Sequence, residues 1–152
     1  MNAAGTGVGP GPGTGLDRAR VSTRLPVQDL DRARRFYAEK LGLEPVDERP
    51  GGLLYRCGDA EFQLFRSAGA SPGTFTQMSW RVADIKATVS ELRRRGVVFE
   101  EFELPDVYGG GRTTGGIVQV EGHFRESGAR ADRGAWFRDS EGNLLSVGQP
   151  VH

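Results

Sequence analysis

The sequence predicts an α+β domain made of two similar modules, each a strand, a helix and then three strands. Two observations carry this. One phrase occurs twice: Val27-Gln28-Asp29-Leu30 leads through Ala33, Phe36 and Tyr37 to Leu41-Gly42-Leu43. Some 55 residues on, Val82-Ala83-Asp84-Ile85 leads through Ala87, Val89 and Leu92 to Arg95-Gly96-Val97. Each copy is an apolar strand end, an Asp placed to cap a helix, apolar residues at helical spacing and a closing Gly. The second observation is that short runs with strand character, broken by turn residues, follow each copy.

Residues 1–18 alternate Gly with small residues and hold Pro10 and Pro12, with almost nothing that could enter a core. They read as a disordered tail. A phosphate-cradling glycine loop is the sharper alternative there, disfavoured because no strand precedes it and no Lys-Ser/Thr follows. The single folded domain then spans residues 19–150. Its first module, 19–67, opens with a strand over 19–27. Asp29 caps a helix over 30–41 that Gly42 ends. Strands follow at 43–47, 52–57 and 61–66, the last two joined by Gly58-Asp59 as a hairpin. Residues 67–74 are a Gly/Pro/Ser connection. The second module, 75–150, has a strand over 76–82, a helix over 85–95 and a strand over 97–103. A long Gly-rich loop, 105–133, precedes a hairpin of 134–138 with 144–148.

Lys plus Arg number 20, as do Asp plus Glu. This balance argues against nucleic acid or an anionic membrane as partner. Arg93-Arg94-Arg95 reads as a cationic cap on the second helix. A lone cysteine, Cys57, fits a reducing compartment and a small buried thiol. No apolar run approaches the roughly 18 residues of a membrane span, so a cytoplasmic location is expected.

The motif Val-x-Asp-Leu-x-x-Ala-x-x-Phe-Tyr-x-x-x-Leu-Gly-Leu over 27–43, its partner over 82–96, and Trp136-Phe137-Arg138-Asp139-Ser140-Glu141-Gly142-Asn143 resemble the vicinal oxygen chelate superfamily. That superfamily includes glyoxalase I, extradiol dioxygenases and bleomycin-resistance proteins. The resemblance spans nearly everything after residue 19. It implies two βαβββ modules forming a U-shaped mixed sheet around a cleft, helices on the outer face, commonly in a homodimer. It also implies four inward positions that hold a divalent metal in the family's enzymes. In this sequence those positions carry Ser22, Gln63, Gln77 and Ser146. With no carboxylate or imidazole among them they are poor at offsetting the loss of a cation's hydration, so no metal or other cofactor is expected.

Strand alternation extends the set of cleft residues. Arg24 shares a face with Ser22, Ser79 and Arg81 share one with Gln77, and Glu61 and Phe65 share one with Gln63. A five-residue turn sets Trp136 opposite Ser146. Arg24 can hold an anion, reach solvent, or pair with Glu61 across the sheet. Trp136 is open between core and stacking platform, whereas Trp80, on the opposite face, reads as core. Tyr108 and the strand candidate 117–120 make the long loop a lid candidate. Relative to the family, this loop carries extra residues.

The leading expectation is a metal-free member that binds a small organic ligand, aromatic or anionic, for sequestration or sensing. Ser22, Arg24, Gln63, Phe65, Gln77, Ser79, Tyr108, Trp136 and Ser146 would line the site. The alternative is a metal-independent isomerase, lyase or cyclase, with Glu61 or His123 moving protons. A third reading is an interaction domain whose pocket its own side chains fill.

Overall fold

In the computed structural model of the chain, which describes residues 14–122, 126 and 128–152, both helices form where their caps predict. Helix α1 spans Leu30–Leu41; the Asp29 carboxylate accepts from the Arg32 N–H, and Gly42, at φ 71°, closes the last turn in the left-handed conformation. Helix α2 spans Ile85–Arg94; Asp84 accepts from the Ala87 N–H in the same way, and Gly96 takes φ 99°. One local code has been written twice.

Eight strands complete the fold: β1 Thr23–Val27, β2 Asp47–Arg49, β3 Gly52–Cys57, β4 Ala60–Arg66, β5 Met78–Arg81, β6 Val118–Glu121, β7 Ala131–Arg138 and β8 Leu144–Val151. They form two four-stranded sheets, ordered β1-β4-β3-β2 and β5-β8-β7-β6. In each, the strand before the helix pairs in parallel with the module's last strand, and the remaining pairs are antiparallel. The two modules therefore share one βαβββ topology.

Several boundaries differ from the sequence reading. Strand β1 starts at Thr23, opposite Phe62, later than the expected 19, and β4 reaches back only two residues beyond that pair, to Ala60. Of the expected tail, residues 1–13 lie outside the described residues, and Leu16–Arg18 make a 3-10 turn. The strand expected at 43–47 sits instead at Asp47–Arg49. Pro45 has no N–H to give a ladder, and the turn at Pro50-Gly51 sets the pairing of Arg49 with Gly52. The strand expected over 97–103 makes only bridges, Phe99 to Phe137 and Glu103 to Arg112. The second module's missing strand lies inside the long loop, as β6, because its Val-Gln-Val-Glu alternation matches the free edge of β7.

Both sheets bury one face into a common core. Leu25, Val27, Tyr55, Phe62 and Leu64 come from the first sheet, and Phe137, Leu145 and Val147 from the second. Tyr37 of α1 and Ile85, Val89 and Leu92 of α2 join them. A continuous run of rings crosses the module boundary. Tyr55 stacks on Phe62 at 5.0 Å, Phe62 meets Trp80 edge-on at 5.8 Å, and Trp80 stacks on Phe137 at 6.3 Å. Trp80 is partly buried and packs against this core, its ring between Phe62 of the first sheet and Phe137 of the second.

The turn Asp139–Asn143 docks this second sheet onto the start of α1. The Asp139 carboxylate accepts from the backbone N–H groups of Glu141 and Asn143 and from the Tyr37 hydroxyl at 2.7 Å. The Asn143 amide donates to the Pro26 carbonyl at 3.0 Å, reaching 117 positions back along the chain. Glu141, its side chain fully buried, accepts from the N–H groups of Gln28 and Asp29 and from both arms of Arg32. A carboxylate at a helix N-terminus is favoured by the exposed N–H groups and the dipole. Burial alone would push its carboxyl up; Arg32, Ser140 and the two backbone donors outweigh that and hold it down at about 2. Burial and the neighbouring Asp139 carboxylate keep the Tyr37 phenol well above its ordinary range, so it remains a donor.

Because the Glu141 carboxyl titrates lower when folded than its ordinary 4.5, its stabilisation is full above about pH 4.5 and is lost as pH falls towards 2. Glu141→Gln is expected to lower unfolding free energy by about 1–3 kcal/mol at pH 7 and to flatten the acid limb. Urea unfolding at pH 7 and pH 3 reads both; an unchanged acid dependence in the variant counts against the assignment. Tyr55 carries a buried hydroxyl with no hydrogen-bond partner among the described residues. Tyr55→Phe is therefore expected to be neutral or to stabilise by up to about 1 kcal/mol in the same assay.

Candidate functional site

Sheet faces turned away from the core carry the residues of interest. On the second sheet, register places Ser79 beside Ser146 and Trp136 beside Ser146, with Gly134 opposite Val118 and Asp132 opposite Val120 on the same outer face. The Trp136 indole lies flat along the strand, over Gly134. A Cβ at Gly134 would stand 2.7 Å from the ring's outer carbon, so glycine alone leaves room for this pose. The indole N–H donates to the Thr76 hydroxyl at 3.0 Å, and Phe102 meets the ring edge-on at 5.2 Å.

Over this indole opens a pocket of about 630 Å³, walled by Phe75, Phe102, Leu104, Tyr108, Val120 and Leu144. Its polar rim is Arg138, which donates to Glu100 at 2.6 Å and to the Gly73 carbonyl at 2.7 Å. The loop carrying Tyr108 is a short hairpin. Glu103 bridges to Arg112, and Gly109, Gly110 and Gly111 all take positive φ to turn it. A mostly apolar pocket with a few fixed polar groups is the usual form of a small-molecule site.

The first sheet's outer face holds a second hollow of about 300 Å³ lined by Arg24, Gln63, Leu54 and Phe65, with Asp47 and Arg49 at its edge. Arg24 and Gln63 are register partners on adjacent strands, and the Arg24 guanidinium lies 4.7 Å from the Phe65 ring centroid. The two pockets have no lining residue in common. The residues expected around one cleft thus fall into two groups within the chain: Arg24, Gln63 and Phe65 in one, Tyr108 and Trp136 in the other.

Other candidates are placed differently. Ser22 is exposed and precedes β1. Glu61 pairs with Arg56 at 2.7 Å, its cross-strand partner, and not with Arg24, which stacks on Phe65 instead. Gln77 ties down the connection between modules, its amide oxygen accepting from the Ser71 hydroxyl at 2.5 Å and from the Leu144 N–H at 3.3 Å. The buried Ser146 hydroxyl donates to Ser79 at 2.6 Å. His123 lies outside the described residues. Phe75, Thr76, Phe102 and Leu104 were not singled out from the sequence. Alternation could have found two of them: Glu100, Phe102 and Leu104 turn to the pocket, while Val97 and Phe99 enter the core.

Ser22, Gln63, Gln77 and Ser146 do not suit a divalent cation. They offer only hydroxyls and amides, and the Gln77 oxygen and the Ser146 hydroxyl are already engaged within the chain. Among the described residues, no group of three or more His, Cys, Asp or Glu is placed to hold a metal.

The fit between Gly134 and Trp136 gives a sharp expectation. Gly134→Ala should cost about 1–3 kcal/mol of unfolding free energy by displacing the ring, and much less in a Trp136→Ala background. A double-mutant cycle reads this coupling; equal costs in both backgrounds would show that the ring does not press on that position.

Comparison with known proteins gives a consistent result. Structures similar to this one include an antibiotic-binding protein, TnmS3, from Streptomyces sp. CB03234, at 23% identity and TM-score 0.53, covering 85% of this chain and 93% of that one. A bleomycin-binding protein complexed with bleomycin matches at 21% identity and TM-score 0.56, over 86% of this chain and 98% of that one. A glyoxalase/bleomycin resistance protein/dioxygenase from Alicyclobacillus acidocaldarius matches at 16% identity and TM-score 0.61, over 87% and 91%. At these identities the likeness is one of fold. No curated protein matches by sequence. The family model matches residues 17–147, nearly the whole folded part, and on that ground the chain belongs to the glyoxalase/bleomycin resistance protein/dioxygenase superfamily.

Proposed function

We propose that the protein binds a flat, largely apolar organic molecule on Trp136, without a metal, and serves to sequester or sense it. The observation that carries this is the indole pinned by Thr76, Phe102 and Gly134 as the floor of an open pocket of about 630 Å³. A fixed ring loses little freedom when it stacks on a ligand. The walls leave that volume open, which disfavours an interaction domain filled by its own side chains. Similarity of fold to an antibiotic-binding protein and a bleomycin-binding protein supports a binding role. Tyr108, on its glycine-turned hairpin at the mouth, would close over the occupant.

The enzymatic alternative draws no support from the described residues, since Glu61 is engaged by Arg56 and His123 lies outside them. A homodimer fits the geometry. Both outer sheet faces point away from the chain's own core, so a second copy is what would set a first-module face against a second-module face.

Titration with flat aromatic compounds, followed by tryptophan fluorescence and thermal shift, tests the reading. An occupant at a hundred times its dissociation constant should add about 2.7 kcal/mol to stability, and Trp136→Ala should abolish both signals while retaining the fold. The same sample should hold less than stoichiometric divalent metal and sediment at twice the chain mass. Ligand binding that survives Trp136→Ala, or one tightly held metal ion per chain, would sink the proposal.

A further inference from the structure

The hollow on the first sheet has a chemistry of its own. Register aligns Arg24, Gln63, Leu54 and Asp47 in one row across all four strands. Side chains in such a row stand on one face about 5 Å apart. The next row sets Phe65 beside Gly52, and Gly52 has no side chain, so the floor beside the Phe65 ring stays open.

Within this row the charges are unevenly satisfied. At the far edge Asp47 and Arg49 neutralise each other at 3.1 Å. Glu61, the acid nearest in sequence to Gln63, is taken by Arg56. Arg24 meets no carboxylate among the described residues; its contact is the face of Phe65. The Gln63 amide, half-buried beside it, has no hydrogen-bond partner among the described residues either. A guanidinium held against a ring, with an amide at the adjacent register position and neither of them paired among the described residues, offers N–H donors above an apolar floor. Arg is suited to this task because its planar fork matches a carboxylate's two oxygens.

We infer that this hollow is a binding site for an organic carboxylate, the acid group taken by Arg24 and Gln63 and a flat apolar body resting beside Phe65 and Leu54. About 300 Å³ accommodates one or two fused rings, not a macrocycle. The inference goes beyond the Trp136 pocket and does not require it, since the two hollows have no lining residue in common. If chains pair as proposed above, it would supply an acid-recognising end to a longer ligand.

Isothermal titration of the full-length protein with 2-naphthoate and with neutral 2-naphthamide separates the contributions. The acid is expected to bind at least about ten-fold more tightly than the amide, the scale of one hydrogen-bonded charge pair. That preference should narrow as salt is raised. Arg24→Gln should erase it, Arg24→Lys should keep part of it, and Gln63→Leu should weaken the acid several-fold. Arg24 is exposed on an edge strand, and circular dichroism of each variant checks that the fold persists. Equal affinity for acid and amide, no heat from the acid up to about 10 mM, or an Arg24→Gln variant that keeps the preference would each overturn the inference. Failure of the Trp136 reading is distinguishable: the amide and other neutral rings would then leave tryptophan emission unchanged, while the Arg24-dependent preference for the acid would remain.

Discussion

The arrangement depends on a single buried carboxylate at the start of a helix. Glu141 belongs to the second module's hairpin, yet its partners, Gln28, Asp29 and Arg32, belong to the first. An unpaired carboxylate there would be costly, so the hairpin can be buried only if α1 presents its N-terminus and Arg32 at that point. Asp139 and Asn143 fix the turn from inside, and Tyr37 and Pro26 receive it. The contact holds β7 and β8 against the first module, and Trp136 and Phe137 ride on β7. Phe137 continues the ring stack into the common core. Trp136, one position earlier, is thereby turned outward.

That alternation explains why a hollow opens on the outer face of each sheet. A sheet residue facing the core leaves its neighbours facing away, and both sheets spend their apolar faces on one shared interior. What remains outside is a polar row on the first sheet and an aromatic floor on the second. The second floor exists because of an unusual local fit, in which a glycine lets an indole lie flat while Thr76 holds its N–H. The extended segment after α2 then folds over it, with Phe102 and Leu104 as a wall. The cost of a glycine within a strand is offset by the surface it opens.

Much of the fold was legible in the sequence because its signals are local. Asp29 and Asp84 cap helices by reaching three residues ahead, Gly42 and Gly96 end them through their own φ, and Gly58 turns a hairpin. The pairing of Trp136 with Ser146 followed from counting residues around a turn. Elements that depended on a distant partner were misplaced. Residues 97–103 have strand composition, but only part of the β7 edge is free for them. Residues 117–120 could be read as a strand candidate from their alternation, but that they pair with the β7 edge could not. The candidate site shows the same division. Trp136, Arg24 and Gln63 could be assigned to a face by alternation, but that Arg24 would stack on Phe65 and Glu61 would choose Arg56 could not. These are competitions among several neighbours within a few ångströms.

By itself, then, the sequence determined the doubled βαβββ plan, the helix ends, the core-facing registers, the family, and an uncharged set at the family's metal positions. Each of these is set by residue type and spacing over a few positions. The tertiary structure decided that Asp139, Glu141 and Asn143 lock the modules together, that Gln77 and Ser146 are engaged in internal hydrogen bonds, and that Arg24 and Trp136 line separate hollows. Those outcomes depend on which groups meet in space, at chain separations from 6 positions for Ser71 and Gln77 to 117 for Pro26 and Asn143, and burial makes each such meeting exclusive.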